Sequence, residues 1–401
     1  MRAATLLRRA GVLLGTFTLA LTGPSAVPAA AADYERVTGF GSNPGALTMY
    51  RHLPDGLSAG APVVLVLHGC TQDGPGFATG AGWRAHADAH GFALVAAQQE
   101  SANNASRCFN WFQSGDTARG QGEALSLRQM VAHTVDAVDA DPSRVYVAGF
   151  SGGGAMAASL LAAYPDVFAG GAILAGVPHG CATGMVQAFG CMNPGSDRTA
   201  AQWGDLVRAR NRGYGGPWPT VSVWHGTSDT TVVPANATEL VEQWTDVHGT
   251  DAAADGSASL PGGVTRRTYE AGGGTVVREY RAAGMGHAVP VRPSEGCGTA
   301  GAYAADVLCA AEHITADWGL GATDPQDPDE PTDPEEPTDP EPVPCFTASN
   351  HGHVAAGRAT VRYGIAYAVG SGDALGWWNT YTVTSLTEPR PGWYERTSGC
   401  G

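Results

Sequence analysis

The chain has 401 residues, with 38 Asp and Glu against 23 Lys and Arg and a formal net charge of -15. No basic patch interleaves with aromatic residues, which excludes nucleic acid and anionic membrane surfaces as natural partners. The 56 glycines follow no period, which excludes a collagen-like rod.

At the amino terminus, Arg2, Arg8 and Arg9 precede an apolar run over residues 10–21 that is too short to span a bilayer comfortably. Ala30-Ala31-Ala32 offers an A-x-A cleavage site. Residues 1–32 are therefore expected to be an export signal, and the mature protein to be secreted, extracellular and free of membrane. The Arg8-Arg9 pair leaves the twin-arginine route open beside the general one. Eight cysteines without C-x-x-C spacing, in an exported chain, point to disulfides rather than metal ligands. The sequential pairing is expected: Cys70–Cys108, Cys181–Cys191, Cys297–Cys309 and Cys345–Cys400.

Residues 33–321 alternate apolar strands with helical stretches, the pattern of an α/β fold with a mainly parallel sheet. Val63 to Leu67 is apolar at every position, as suits a strand buried on both faces. His68-Gly69-Cys70-Thr71 then turns, and the Cys70 N–H is a candidate oxyanion donor. His68 is read as a histidine that braces this loop. The spacing of Leu125, Leu127, Met130, Val131 and Val135 predicts a helix over residues 120–138, ended by Asp141-Pro142.

Next, the short strand Arg144-Val145-Tyr146-Val147-Ala148 runs into Gly149-Phe150-Ser151-Gly152-Gly153 and an Ala-rich helix start. G-x-S-x-G between a strand and a helix is a nucleophile elbow. A serine hydroxyl is a weak nucleophile and must be presented on a tight turn beside a base. The Gly152 N–H, at a helix start, is the second oxyanion candidate.

The acid and base of a triad should follow in that order, each after a later strand. The strand Thr220 to Gly226 leads to Asp229, and the strand around Thr275–Tyr280 leads to His287. Asp229 is assigned as the orienting acid and His287 as the general base. Asp246, Asp251 and Asp255 follow no strand directly. His225 is read as a support for the Asp229 loop, and His248 and His313 as helix histidines. Trp111 and Trp203 are candidates for the wall of a substrate cleft, and no metal or organic cofactor is expected.

Residues 322–344 are nearly all Pro, Asp, Glu and Thr, with proline at every third residue from Pro325 to Pro340. Three residues make one turn of polyproline II, so this is read as an extended linker. Residues 345–401 are short, aromatic and rich in β-formers, and are read as a small β-rich module closed by one disulfide. Trp377, Trp378, Trp393 and Tyr394 are too many large aromatics for so small a core. Some are expected to face outward as a polymer-binding surface.

Across residues 37–318 the chain resembles the secreted polyhydroxybutyrate depolymerase family of esterases. The resemblance rests on His68-Gly69-Cys70, Cys108-Phe109-Asn110-Trp111-Phe112, Arg119-Gly120-Gln121-Gly122-Glu123-Ala124, the elbow, Gln202-Trp203-Gly204-Asp205-Leu206 and Trp224-His225-Gly226-Thr227-Ser228-Asp229. It implies an α/β-hydrolase fold and a serine-esterase mechanism, with Ser151, Asp229 and His287 as the triad. The same domain is similar to secreted feruloyl and acetylxylan esterases, so the implied substrate is a polyester such as poly(3-hydroxybutyrate) or, alternatively, a plant cell-wall polysaccharide ester. A serine peptidase and a non-catalytic adhesion protein are weaker alternatives. Ser349-Asn350-His351-Gly352-His353-Val354 resembles small modules appended to such depolymerases.

Overall fold

The computed structural model describes Met1, residues 34–320 and residues 344–400, apart from Tyr363, Pro391 and Gly392. Apart from Met1 and Pro344, the expected export signal and the expected linker lie outside the described residues. The chain divides into two units, Met1–Pro328 and Asp329–Gly401.

In the first unit, the wholly apolar segments make the centre of a ten-stranded sheet. β1 (Glu35–Val37), β2 (Thr48–His52), β3 (Val63–Leu67), β4 (Ala93–Gln98), β5 (Val145–Phe150), β6 (Gly170–Leu174), β7 (Thr220–Gly226), β8 (Gly256–Leu260), β9 (Val264–Ala271) and β10 (Gly274–Ala282) lie in the order 1-2-4-3-5-6-7-10-9-8. β4, β3, β5, β6, β7 and β10 run parallel to one another, while the β1–β2 hairpin beside β4 and the β8–β9 hairpin beside β10 add antiparallel edges.

Both faces of the parallel strands are covered, which is why they carry no polar alternation. Val63, Leu65, Val145 and Val147 point into one core, with Leu127, Met130, Met156, Leu160, Trp203, Leu240 and Trp244 from four helices. Val64, Val66, Tyr146 and Phe150 point into the other, with Phe77, Trp83 and Ile314 from three more. The helix foreseen from residue 120 spans Gly122–Val138 and ends at Asp139, a left-handed cap. The edge hairpin was not foreseen. β8 alternates half-buried and exposed residues, and β9 buries Val264 and Tyr269 around the polar Thr265, Arg266, Arg267 and Thr268, so no apolar run marks the hairpin. β11 (Val289–Val291) and β12 (Ala304–Asp306) form a small parallel pair behind the His287 loop.

The second unit holds two three-stranded sheets. β13 (Cys345–Ser349), β17 (Val383–Arg390) and β18 (Trp393–Thr397) form one, and β14 (Ala359–Arg362), β15 (Ile365–Ala368) and β16 (Ala374–Trp377) the other. A short helix, Asn350–Ala355, is capped by the Ser349 side chain. Four disulfides join Cys70–Cys108, Cys181–Cys191, Cys297–Cys309 and Cys345–Cys400.

Candidate active site

Three parallel strands bring the side chains of three candidate residues together beyond their carboxy ends. β5 leads straight into Ser151, β7 leads to Asp229, and β10, paired in register with β7, leads to His287. Ser151 has φ 54° and ψ -117°, a conformation disfavoured for any residue with a Cβ. Its neighbours hold it there. A Cβ on Gly149 would lie 2.1 Å from the Gly153 carbonyl oxygen, and one on Gly153 would lie 2.2 Å from that of Leu67. Only glycine at both positions lets the strand, the turn and the helix Gly152–Ala163 approach so closely.

Ser151 Oγ lies 2.9 Å from His287 Nε2, and His287 Nδ1 lies 2.7 Å from Asp229 Oδ2. The other Asp229 oxygen accepts the N–H groups of Thr231 and Val232 at 2.8 and 2.9 Å. Burial alone would raise the Asp229 carboxyl. The bond and charge of His287, with those two amides, outweigh burial and hold it below the usual carboxylate range. His287 Nδ1 therefore donates to an ionised acid, which leaves Nε2 free to accept the serine proton. The Phe150 ring, 4.9 Å from the imidazole between centroids, backs the histidine.

Two further histidines border this relay without touching Ser151, and His225 Nε2 lies 3.5 Å from Asp229 Oδ2. His225 is buried, and burial lowers it to about 4; its Nε2–H donates to the Val232 carbonyl at 2.8 Å and steadies the acid's loop. His68 is likewise lowered by burial to about 4. Its Nδ1–H donates to Gly69 O at 2.7 Å, and its Nε2 accepts from Gln99 N at 3.1 Å. Of the rival acids, Asp246 is engaged by Arg208 at 2.6 Å.

The loop after β3 is pinned from several sides. Cys70 is bonded to Cys108, Thr71 N donates to Ser106 O at 2.7 Å, and Gly69 N donates to Gln72 Oε1 at 2.8 Å. A Cβ on Gly152 would meet Cys70 Sγ at 3.1 Å, so the two candidate oxyanion residues are neighbours. Both line a cavity of about 230 Å³ together with Ser151, Trp111, Phe112 and Val177.

Trp111 thus stands at the cavity wall. Trp203 does not, and its assignment to the cleft is corrected. It is wholly buried in the core, where its indole N–H donates to Glu239 and the Arg198 guanidinium covers its ring at 5.0 Å. Trp203 and Val207, one helical turn apart, both face inward on the helix Ala200–Arg210.

Two features escaped the sequence. The first is Glu123, buried where its oxygens accept from Gln99 Nε2 at 2.6 Å, Asn110 N at 2.8 Å and Asn103 Nδ2 at 3.2 Å. Burial raises its carboxyl to about 8 against those donors. Gln99 also donates to Cys108 O, so Glu123 braces the cavity's disulfide loop. The resemblance had pointed to the motif containing it, but its partners lie far away in sequence. The second is the helix Met185–Met192, four of whose residues line the cavity.

In the second unit the four aromatic candidates divide. Trp377 and Trp378 are exposed, the former at 68 %, and Tyr381 beside them is exposed too. The His351 ring stacks on Trp378 at 5.7 Å. Trp393 and Tyr394 are half-buried, so of the four candidates it is Trp377 and Trp378 that face outward, in line with the expectation that some of them would. Trp393 packs its ring against the Gly370 backbone, and Tyr394 lies against the small core and Phe346.

The family model described as Esterase PHB depolymerase matches residues 47–268. The chain belongs to that family. It is 47% identical over 322 residues to poly(3-hydroxyalkanoate) depolymerase C of Paucimonas lemoignei, covering 79% of this chain and 76% of that one. It is 38% identical to feruloyl esterase B of Thermothelomyces thermophilus over 64% of this chain and 89% of that one. Among solved structures, the acetyl xylan esterase from Aspergillus awamori superposes with TM-score 0.60 at 26% identity, over 66% of this chain and 97% of that one. The protein is a carboxylic-ester hydrolase with an α/β-hydrolase sheet. Among the described residues no helix is long and apolar enough to cross a membrane.

Proposed function

We propose that the protein is secreted and hydrolyses the ester bonds of an extracellular polymer, poly(3-hydroxybutyrate) or a related short-chain polyhydroxyalkanoate, through an acyl-enzyme on Ser151. The observation that carries this reading is the Ser151–His287–Asp229 hydrogen-bond relay opening into an apolar cavity. The ester carbonyl docks with its oxygen toward the Cys70 and Gly152 amides. Ser151 Oγ attacks the carbonyl carbon as His287 Nε2 takes its proton, and Asp229 holds the imidazole tautomer and balances the imidazolium. The alcohol leaves with the proton from His287. Water, deprotonated by the same nitrogen, then cleaves the acyl-serine. The Gly152 amide at a helix amino end stabilises the oxyanion in both steps.

Similarity to the Paucimonas depolymerase supports the polyester. The exposed Trp377 and Trp378 support a polymer-holding role for the carboxy-terminal module, with the acidic proline-rich segment as its tether. Similarity to the feruloyl and acetyl xylan esterases favours a second reading, esters of plant cell-wall polysaccharide.

The test is clearing of a poly(3-hydroxybutyrate) suspension by wild type and by Ser151→Ala, with methyl ferulate and acetylated xylan alongside. Wild type should clear the suspension. The variant should lose turnover on the order of 10⁴-fold or more while still adsorbing to the polymer. Release of ferulate or acetate without clearing would keep the nucleophile and move the enzyme to cell-wall esters. Undiminished turnover by Ser151→Ala would overturn the mechanism.

A further inference from the structure

The helix Met185–Met192 turns apolar side chains outward. Met185 is 58 %, Val186 87 % and Phe189 65 % exposed. Single exposed apolar residues need no explanation, but these three fall within five residues and continue a functional surface. Met185 and Phe189 line the Ser151 cavity as well as the outside, so the ridge runs unbroken from solvent into the cleft. In a chain of net charge -15, residues 180–196 contain no Asp, Glu, Lys or Arg.

The ridge is also held in place. Cys191 is bonded to Cys181 at its base. The Gln187 side chain accepts from the N–H and hydroxyl of Thr183, at 2.9 and 2.8 Å. Val233 N donates to Met192 O at 2.9 Å, and Asn193 Nδ2 donates to Thr230 O at 3.0 Å. Thr230 and Val233 belong to the loop that carries Asp229. A surface so fixed loses little conformational freedom on contact, which favours binding.

We infer that Met185, Val186 and Phe189 form a polyester-contact ridge of the catalytic unit, separate from the aromatic residues of the carboxy-terminal module. This rests on the polyester reading above and deepens it. The occupant follows from the chemistry offered. One thioether, one branched aliphatic group and one phenyl ring, without a charged group among them, match the methyl and methylene groups between the esters of a polyhydroxyalkanoate. A polysaccharide would call for several polar groups aimed outward, and on this ridge the Gln187 amide, whose oxygen is taken by Thr183, stands among three apolar side chains. The ridge seats a strand of the solid polymer beside the cleft and guides it past Phe189 to Ser151.

The experiment uses the full chain carrying Trp377→Ser and Trp378→Ser, so that the module's exposed tryptophans do not mask the ridge. Val186 faces only solvent, and Val186→Lys is compared with its parent on p-nitrophenyl butyrate in solution and on poly(3-hydroxybutyrate) granules. Turnover of the soluble ester should stay within about twofold, and granule hydrolysis should fall about fivefold to tenfold, the scale expected for one lost apolar contact. Granule hydrolysis at the parent rate would overturn the ridge while leaving the polyester reading in place. An equal loss on both substrates, repeated in the near-isosteric Val186→Thr, would overturn it too. A wild type that turns over the soluble ester and leaves granules untouched would remove the polyester reading itself, and the ridge with it.

Discussion

In residues 34–320 the buried centre is made of large side chains, with Trp83, Trp203, Trp224, Trp244, Phe92 and Phe150 all shut away from solvent. In residues 344–400 the core is Ala359, Ala366, Ala368, Leu375 and Leu386, and two of its wholly buried residues are polar. Asn350 donates to the carbonyls of Leu375 and Trp377 and accepts from Thr384, while His353 bridges Arg358 and the Thr384 carbonyl. The larger unit rests on apolar burial, which grows with chain length, whereas the smaller one is too short for that and relies on a hydrogen-bond hub and a disulfide. The two should therefore fail under different insults.

The largest separation should come from Cys345→Ser with Cys400→Ser. Opening a loop with a sequence separation of 55 releases chain entropy worth about 4 kcal/mol in the unfolded state. Calorimetry should show the module's transition lowered or lost and the catalytic transition unchanged, with soluble-ester turnover at the wild-type level. A shift of both transitions together would mean that the two cores unfold as one. Asn350→Ala should act in the same direction with a smaller effect, about 2–3 kcal/mol, because two carbonyls and a hydroxyl lose their buried partner. Retained granule adsorption by this variant at elevated temperature would break the contrast.

Glu123→Gln sharpens the comparison from the catalytic side. The folded carboxyl is raised to about 8 from an ordinary 4.5, so between those values the folded chain keeps a proton that the unfolded chain has lost. Stability from this group is present at low pH and falls as pH rises through that window, on the order of 1 kcal/mol per pH unit. The glutamine variant should lack that slope. Urea midpoints of the catalytic transition at pH 5 and pH 8 would measure it, and parallel lines for the two proteins would contradict it. The module's transition should show no difference between the two proteins.

The parts legible in the sequence were those whose physics is local. β3 and β5 declare themselves by unbroken apolar runs, and the elbow by the glycines at 149 and 153 that its turn demands. The order of Ser151, Asp229 and His287 along the chain follows from strands that place their carboxy ends on one edge. What stayed hidden depended on distant partners. Trp203 carried a family motif, but Glu239, 36 residues away, takes its indole N–H and keeps it inside. Glu123 shows its role only beside Gln99 and Asn110. The Met185–Met192 helix is apolar enough to read as core, and only its place at the cavity mouth exposes it.

The uneven distribution of tryptophan also has an optical consequence. Trp83, Trp203, Trp224 and Trp244 are screened from water, while Trp377 and Trp378 stand in it. Emission from the first group should lie toward the blue and resist acrylamide, and emission from the second should lie toward the red and be quenched readily. The chain carries its own two-colour probe: if the module holds a solid as proposed, that contact should alter one end of the spectrum and melting of the sheet the other.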